Sequence, residues 1–219
     1  KTSLYERHLR LGAKMMPFGG FSMPIQYTSI TEEHLATRKK AGLFDLSHMG
    51  EFVVMSTGAT EFLSRIITGD PEKIAEGTTL YTIFCNPQGG VVDDLVVYRL
   101  EKERFMLVVN AANIQKDFEW ISGNLGREGV RFENISDTIA LIALQGPMAE
   151  AILRKSPYRE GANLDRNQFL ECEADDAKVL VSRTGYTGED GFELYTSSRF
   201  ASKIWDALLE GGKPFGLLP

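Results

Sequence analysis

The 219-residue chain is poor in the groups that cross-link proteins or bind metals, with two cysteines and three histidines. Cys85 and Cys172 are too few for a disulfide framework and too far apart for a CxxC site, so they read as buried free thiols in a reducing compartment. His8, His34 and His48 lack the spaced partners of a zinc site, and no metal is expected. His48, after Asp45-Leu46-Ser47, reads as a satisfied structural histidine. No apolar run approaches the roughly 20 residues of a membrane helix. The opening Lys1-Thr2-Ser3-Leu4 carries no signal-peptide core. Cationic excess is also missing: the formal net charge is −6, which argues against nucleic acid as a partner. Neither a phosphate-binding GK[ST] element nor a GxSxG nucleophile elbow occurs. A soluble, intracellular protein without membrane or nucleic-acid contacts is expected.

What is present suits a globular core: 43% hydrophobic and 25% charged side chains. Ser29-Ile30-Thr31-Glu32 has the form of a helix capping box, with Gly42 as the stop. The glycines and prolines before it, including Pro17 and Pro24, suggest an irregular segment. A strand is expected over 51–55. Ala59, Phe62, Leu63, Ile66 and Ile67 then repeat at the spacing of an amphipathic helix. Strands follow over 80–85, 91–100 and 105–109, the first two joined by the turn Asn86-Pro87-Gln88-Gly89-Gly90. Ile114, Phe118, Ile121 and Leu125 mark a second helix, and 130–132 a closing strand.

The pattern then recurs. A strand over 139–144 leads to a helix opened by Pro147, and strands follow near 169–172, 178–182 and 192–195. Phe200, Ile204, Trp205, Leu208 and Leu209 form the face of a last helix stopped by Gly211. The expected fold is α+β: two interleaved units of mixed or antiparallel sheet, helices packed on one face, of ferredoxin-like, split βαβ character. Residues 1–49 with 137–219 would form one unit and 50–136 the other. The loop-like end, 211–219, suggests a chain cut short of its natural boundary.

Two segments carry chemistry. Asp93-Asp94 interrupts the apolar strand Val91-Val92-Asp93-Asp94-Leu95-Val96-Val97, and alternation sends the two carboxylates to opposite faces. A carboxylate buried among valines needs a partner or a ligand, unless the strand is an edge with both acids solvated. Gly185-Tyr186-Thr187-Gly188-Glu189-Asp190-Gly191-Phe192-Glu193 sets a flat ring and a two-acceptor carboxylate among glycines that let a ligand approach the backbone. That combination suits an aromatic heterocycle with adjacent N–H donors; an ordinary glycine-rich hairpin is the alternative.

These segments, in order with Gly42-Leu43-Phe44-Asp45-Leu46-Ser47-His48-Met49-Gly50-Glu51, Val109-Asn110-Ala111-Ala112-Asn113 and Leu144-Gln145-Gly146-Pro147, resemble the T-protein family of glycine cleavage, the tetrahydrofolate-dependent aminomethyltransferases. The resemblance covers nearly the whole chain but lacks the family's C-terminal β-barrel. It implies transfer of a one-carbon unit from an aminomethyl-dihydrolipoyl carrier, the lipoylated H-protein, to tetrahydrofolate as co-substrate, with release of ammonia. Asp94 would be the catalytic carboxylate, Glu193 would hold the pterin with Tyr186 against it, and Met49, Tyr81, Val96 and Asn110 would line the folate cleft. A bacterial cytoplasm is favoured over the mitochondrial matrix. Alternatives are the folate domain of a sarcosine or dimethylglycine dehydrogenase, a related demethylase, and a folate-binding iron–sulfur assembly factor. The last carries a Lys-Gly-Cys-Tyr-like motif where this chain has Arg183-Thr184-Gly185-Tyr186.

Overall fold

The computed structural model describes residues 1–126, 129–174 and 176–219. In chain order the elements are α1 (Tyr5–Arg10), β1 (Lys14–Phe18), β2 (Phe21–Gln26), α2 (Ile30–Lys39), β3 (Ala41–Asp45), β4 (Gly50–Met55), α3 (Ala59–Ile66), β5 (Thr79–Cys85), β6 (Val91–Glu101) and β7 (Arg104–Val109). They continue with α4 (Ile114–Asn124), β8 (Arg131–Asn134), β9 (Ile139–Gln145), α5 (Ala149–Arg154), β10 (Phe169–Ala174), β11 (Ala177–Ser182), β12 (Gly191–Ser197), α6 (Ala201–Gly212) and β13 (Leu217–Leu218). The chain is α+β and divides into two compact units, Met49–Asp137 and Lys1–His48 with Thr138–Pro219.

In the Met49–Asp137 unit the strands form an antiparallel sheet in the order β5-β6-β7-β4-β8. Side chains alternate along each strand, so one face gathers the apolar positions: Phe52 and Val54, Leu95 and Val97, Phe105, Leu107 and Val109. These pack with Phe62, Leu63 and Ile66 of α3 and Ile121 of α4. The order β6-β7-β4-β8 with two crossing helices is the split βαβ arrangement, and β5 extends it at the edge. The turn into β6 is closed by Asn86, whose backbone N–H donates to Gly90 and whose side-chain oxygen accepts from Gln88 and Gly90.

The other unit repeats the theme with an insertion. Its six-stranded sheet runs β10-β11-β12-β9-β3-β13, antiparallel except for the β3–β13 pair. Leu43, Ile142, Leu144, Val179, Val181, Phe192 and Leu194 join Ile152, Leu153, Ile204, Trp205 and Leu208 in one core. A polar tie runs through the opening segment: Thr2 Oγ1 donates to Asp45 Oδ2 at 2.6 Å, His8 Nε2 meets the same oxygen at 2.8 Å, and the Tyr27 hydroxyl meets His8 Nδ1 at 2.8 Å. Burial raises the Asp45 carboxyl, but bonds from His8, Thr2 and Ser47 outweigh it, so the group titrates below its ordinary range.

Several local expectations need correction. The opening segment is ordered as α1 and the hairpin β1–β2; its prolines fit because a two-stranded hairpin is all edge. The Ser29 side chain makes no capping bond, and Glu33 Oε1 instead accepts the N–H groups of Tyr27, Thr28 and Ser29. Gly42 lies inside β3 rather than ending a helix, because pairing with β9 claims it. Pro147 precedes the first turn of α5 by two positions. Gly211 lies inside α6, where packing of Trp205 and Leu208 outweighs the roughly 1 kcal/mol that glycine costs in a helix. The tail forms β13 instead of remaining a loop. Cys85 and Cys172 are free, as thiols, but half-buried.

The sheet face of the Met49–Asp137 unit that bears no helix carries a row across four strands, Tyr81–Val96–Val108–Glu51. Glu51 is 1% exposed, its Oε1 finds no hydrogen-bond partner among the described residues, and burial pushes its pKa up to about 8. The folded state therefore holds a proton that the unfolded chain releases near its ordinary carboxyl pKa. The stability this contributes is whole at low pH and is lost as pH rises through about 8. Glu51→Gln keeps the shape without ionising. Its melting temperature should match the parent's near pH 4 and exceed it at pH 8; a constant difference across that range would rule out a buried neutral acid.

Candidate functional site

Asp94 stands on the helix-free face of β6, two positions from Val96. Its carboxylate is held from two sides: the Tyr81 hydroxyl of β5 donates to Oδ2 at 2.9 Å, and the Asn110 amide donates to Oδ1 at 3.1 Å. The same amide nitrogen lies 3.1 Å from the Asp94 carbonyl oxygen and 3.1 Å from Asp93 Oδ1. Met49 precedes β4 on the same face as Glu51, by alternation from Gly50, which packs toward Val109 and Ile114. Met49, Tyr81, Asp94, Val96 and Asn110 therefore share one sheet face. Tyr81 is 65% exposed, and the other four are half-buried.

Asp93 points the other way, toward α4, and is buried. Burial raises its carboxyl, but hydrogen bonds from Asp117, Asn113 and Asn110 outweigh that, and it titrates below its ordinary range. Asp117 of α4 is fully buried; burial and the bond to Asp93 push it up to about 8. Alternation separates the two neighbouring acids, yet Asn110 reaches both.

Glu193 and Tyr186 belong to the other unit. Glu193 lies on β12 between Ala143 of β9 and Ser182 of β11, on the face opposite Phe192 and Leu194. Its Oε2 accepts from the Thr184 hydroxyl and, at 3.4 Å, from the Tyr195 hydroxyl. Tyr186 is 96% exposed, its ring projecting from the loop before β12. That loop is anchored through Gln145, at the end of β9 and 1% exposed. Gln145 Nε2 donates to the Thr184 carbonyl at 3.1 Å and lies 3.4 Å from that of Phe192, and its Oε1 accepts from Thr187 Oγ1 at 3.0 Å. Outside, Arg38 donates to the Thr187 carbonyl and to Glu189, and Arg183 pairs with Asp190 and Glu150. A Cβ at Gly191 would lie 2.5 Å from the Gln145 side chain, and one at Gly185 nearer still. Two distant motifs, Leu144-Gln145-Gly146-Pro147 and the glycine-rich loop, thus form one object: an amide wedged between two glycines.

Beside the loop lies a mostly apolar recess of about 730 Å³ lined by Phe18, Met23, Phe44, His48, Tyr186 and Thr187 among others; Glu193 is outside it. His48 is not satisfied as expected. Its Nδ1 has no partner among the described residues, Phe18 and Phe21 meet its ring edge-to-face, and burial lowers its pKa, so the ring is neutral at pH 7. Glu51, Asp117 and the Gln145 wedge were missed in the sequence. For Asp117 a signal existed, since it lies three residues from Ile114 and four from Ile121 on the inward stripe of α4. Among the described residues no group of three or more His, Cys, Asp or Glu side chains could hold a metal ion. Among the described residues no helix is long and apolar enough to cross a membrane.

Residues 4–219 match the family model described as the GCVT N-terminal domain. The chain belongs to this family. It is 49% identical to an aminomethyltransferase from Bacillus pumilus over 100% of its own length and 60% of that protein's. The crystal structure of the glycine cleavage system aminomethyltransferase T from Bartonella henselae superposes with a TM-score of 0.86 at 37% identity, over 95% of this chain and 57% of that one. Heterotetrameric sarcosine oxidase from Corynebacterium matches at a TM-score of 0.60 and 18% identity, over 86% of this chain and 93% of that one, a likeness of fold alone. The GCVT N-terminal chain spans about 60% of the length of the curated relatives it matches.

The wedge makes a direct prediction for this GCVT domain. Gly185→Ala must displace Gln145 and should destabilise the chain by about 1–3 kcal/mol, the usual cost of overpacking. Combined with Gln145→Ala, which removes the obstruction, the loss should be smaller than the sum of the single losses. Denaturant melts of the three variants measure this; additive losses would mean that the wedge does not set the loop.

Proposed function

We propose that this chain carries the folate-binding and catalytic residues of a glycine cleavage aminomethyltransferase. In this reading tetrahydrofolate accepts one carbon from the aminomethyl group on a lipoylated carrier protein, and its two displaced N–H protons leave with ammonia and with the restored dihydrolipoyl thiol. The observation that carries the reading is the family match over residues 4–219, within which the Asp94 carboxylate sits on the helix-free sheet face between a hydroxyl and an amide donor.

The side chains have the chemistry the co-substrate asks for. Glu193 supplies a planar carboxylate for adjacent N–H groups of a pterin, and Tyr186, on the loop that leads into the same strand, supplies an exposed flat ring. Asp94 keeps its orientation through Tyr81 and Asn110, so its charge is preorganised where positive character develops on the transferred carbon. Met49 and Val96 line that face with apolar surface, which limits water near the charge. Bacterial relatives support a cytoplasmic setting.

Two measurements separate binding from chemistry. Glu193→Ala should weaken reduced-folate binding by about 2–5 kcal/mol, the usual cost of truncating one side of a charge-assisted contact. Calorimetry giving equal affinities would remove Glu193 from the site. Asp94→Asn keeps the shape and removes the charge. In the full-length protein, single-turnover transfer from aminomethylated carrier should fall by about two to three orders of magnitude, with folate affinity little changed. Affinity falling in step with rate would make Asp94 a binding residue instead.

A further inference from the structure

One side-chain amide ties together the two neighbouring acids of β6, although they stand on opposite faces of the sheet. Val109, the last residue of β7, pairs with Leu95, so Asn110 leaves the ladder beside Asp94. Its Nδ2 lies 3.1 Å from Asp93 Oδ1, 3.1 Å from Asp94 Oδ1 and 3.1 Å from the Asp94 carbonyl oxygen. The amide therefore reaches across the β6 backbone instead of standing off one face. Alternation leaves Asp94 half-buried on the helix-free side and turns Asp93 inward, where it is 7% exposed.

Three oxygens around one nitrogen decide how the amide sits. The two ends of an amide have nearly the same shape, so hydrogen bonding, not packing, selects which end is presented. Carboxylates and carbonyls only accept, and a reversed Asn110 would set its oxygen against three others. The holds differ in permanence. In the reading proposed above, Asp94 faces positive character on the transferred carbon, and its grip on the amide slackens as its charge is drawn there. Asp93 is enclosed and keeps its grip throughout. A buried carboxylate is costly unless it is bonded, and Asp93 meets this same amide.

We infer that Asp93 is a positioning residue for Asp94: from the buried side of β6 it holds the Asn110 amide with its N–H groups toward the Asp94 carboxylate. Tyr81 donates to the other oxygen of Asp94, so the carboxylate is fixed at both ends and keeps one orientation on the helix-free face. The kinetic consequence rests on Asp94 being the catalytic carboxylate proposed above. The shared amide does not.

Asp93→Asn keeps the size of the side chain and removes its acceptor-only character. The new amide can donate to the oxygen of Asn110 and let that side chain turn over, which withdraws a donor from Asp94. Asp93→Ser places its oxygen one bond nearer the backbone, away from the Asn110 amide.

The test has two arms, both on the full-length protein. In the first, asparagine is labelled with ¹⁵N, and the Asn110 side-chain signals are assigned by their loss in Asn110→Ala. The Asn110 amide hydrogens of the parent should exchange slowly with water. Asp93→Asn should speed that exchange by roughly 10- to 100-fold, the weight of one hydrogen bond to a charged group. Exchange that stays as in the parent overturns the proposal. In the second arm, single-turnover aminomethyl transfer is followed at saturating tetrahydrofolate. Asp93→Asn should be slower by about 10- to 100-fold, the size of a small misplacement of a reacting group, with folate affinity unchanged. In an Asn110→Ala background the same substitution should add little, because the amide through which it acts is gone. A loss that multiplies in full there means that Asp93 acts through its own charge or through the fold, and the positioning role fails. Affinity falling in step with rate also overturns it. Should Asp93→Asn not fold, Asp93→Ser gives the same comparisons, and a parent-like rate in it sinks the proposal. If Asp94→Asn leaves transfer unchanged, the function proposed for Asp94 fails, and the exchange arm alone decides whether Asp93 holds the amide.

Discussion

An amide side chain at the end of one strand governs much of what this chain presents. Gln145 closes β9, and its oxygen and nitrogen are both used to hold the segment that leads into β12. The segment could be held by surface ion pairs alone, and Arg38 and Arg183 do contribute, but such pairs at the surface are worth roughly 0–1 kcal/mol each. Buried amide bonds are different, because breaking them leaves polar atoms without water. The wedge also demands bare backbone on both sides, which accounts for Gly185 and Gly191 without appeal to flexibility. A rigid base below and an almost fully exposed Tyr186 ring above is the structure of a platform, not of a mobile loop.

The Met49–Asp137 unit solves a related problem with acids. Its sheet buries apolar side chains against α3 and α4 on one face, and alternation leaves the other face for Tyr81, Asp94, Val96 and Asn110. Three carboxyl groups sit on or beneath this sheet in settings that penalise charge or pair it: Glu51, Asp93 and Asp117. Asp94, by contrast, is anchored by two neutral donors. Glu51 and Asp117, whose carboxyls burial raises, cost stability at neutral pH, and such costs concentrate where a protein acts on something else.

Sequence reasoning reached the Met49–Asp137 elements nearly residue by residue because their burial is one-sided. Phe62, Leu63 and Ile66 at helical spacing, and Leu95 and Val97 at strand spacing, declare their faces directly. It did less well where pairing partners are remote. β3 lies inside a sheet between β9 and β13, so Ala41-Gly42-Leu43 is shaped by segments about a hundred residues and more away. The hairpin β1–β2 hid behind Pro17 and Pro24, which read as breakers although edge strands admit them. His48 looked structural and satisfied, but only the packed rings of Phe18 and Phe21 reveal that its Nδ1 has no partner among the described residues.

By itself the sequence determined the α+β class, the family resemblance and the opposite facing of Asp93 and Asp94, because each follows from local periodicity or from ordered motifs read along the chain. Only the tertiary structure decided which donors those acids meet. Asn110 lies sixteen residues from Asp94 and Asp117 twenty-four from Asp93, and no period along the chain brings either pair together. Antiparallel pairing of β6 with β7 carries Asn110 to Asp94, and packing of α4 on the sheet carries Asp117 to Asp93. Charge state belongs to the same category. A carboxyl in a sequence is an acid of ordinary strength, and it takes burial and a neighbour, which exist only after folding, to make Asp117 hold a proton at neutral pH while Asp93 gives one up.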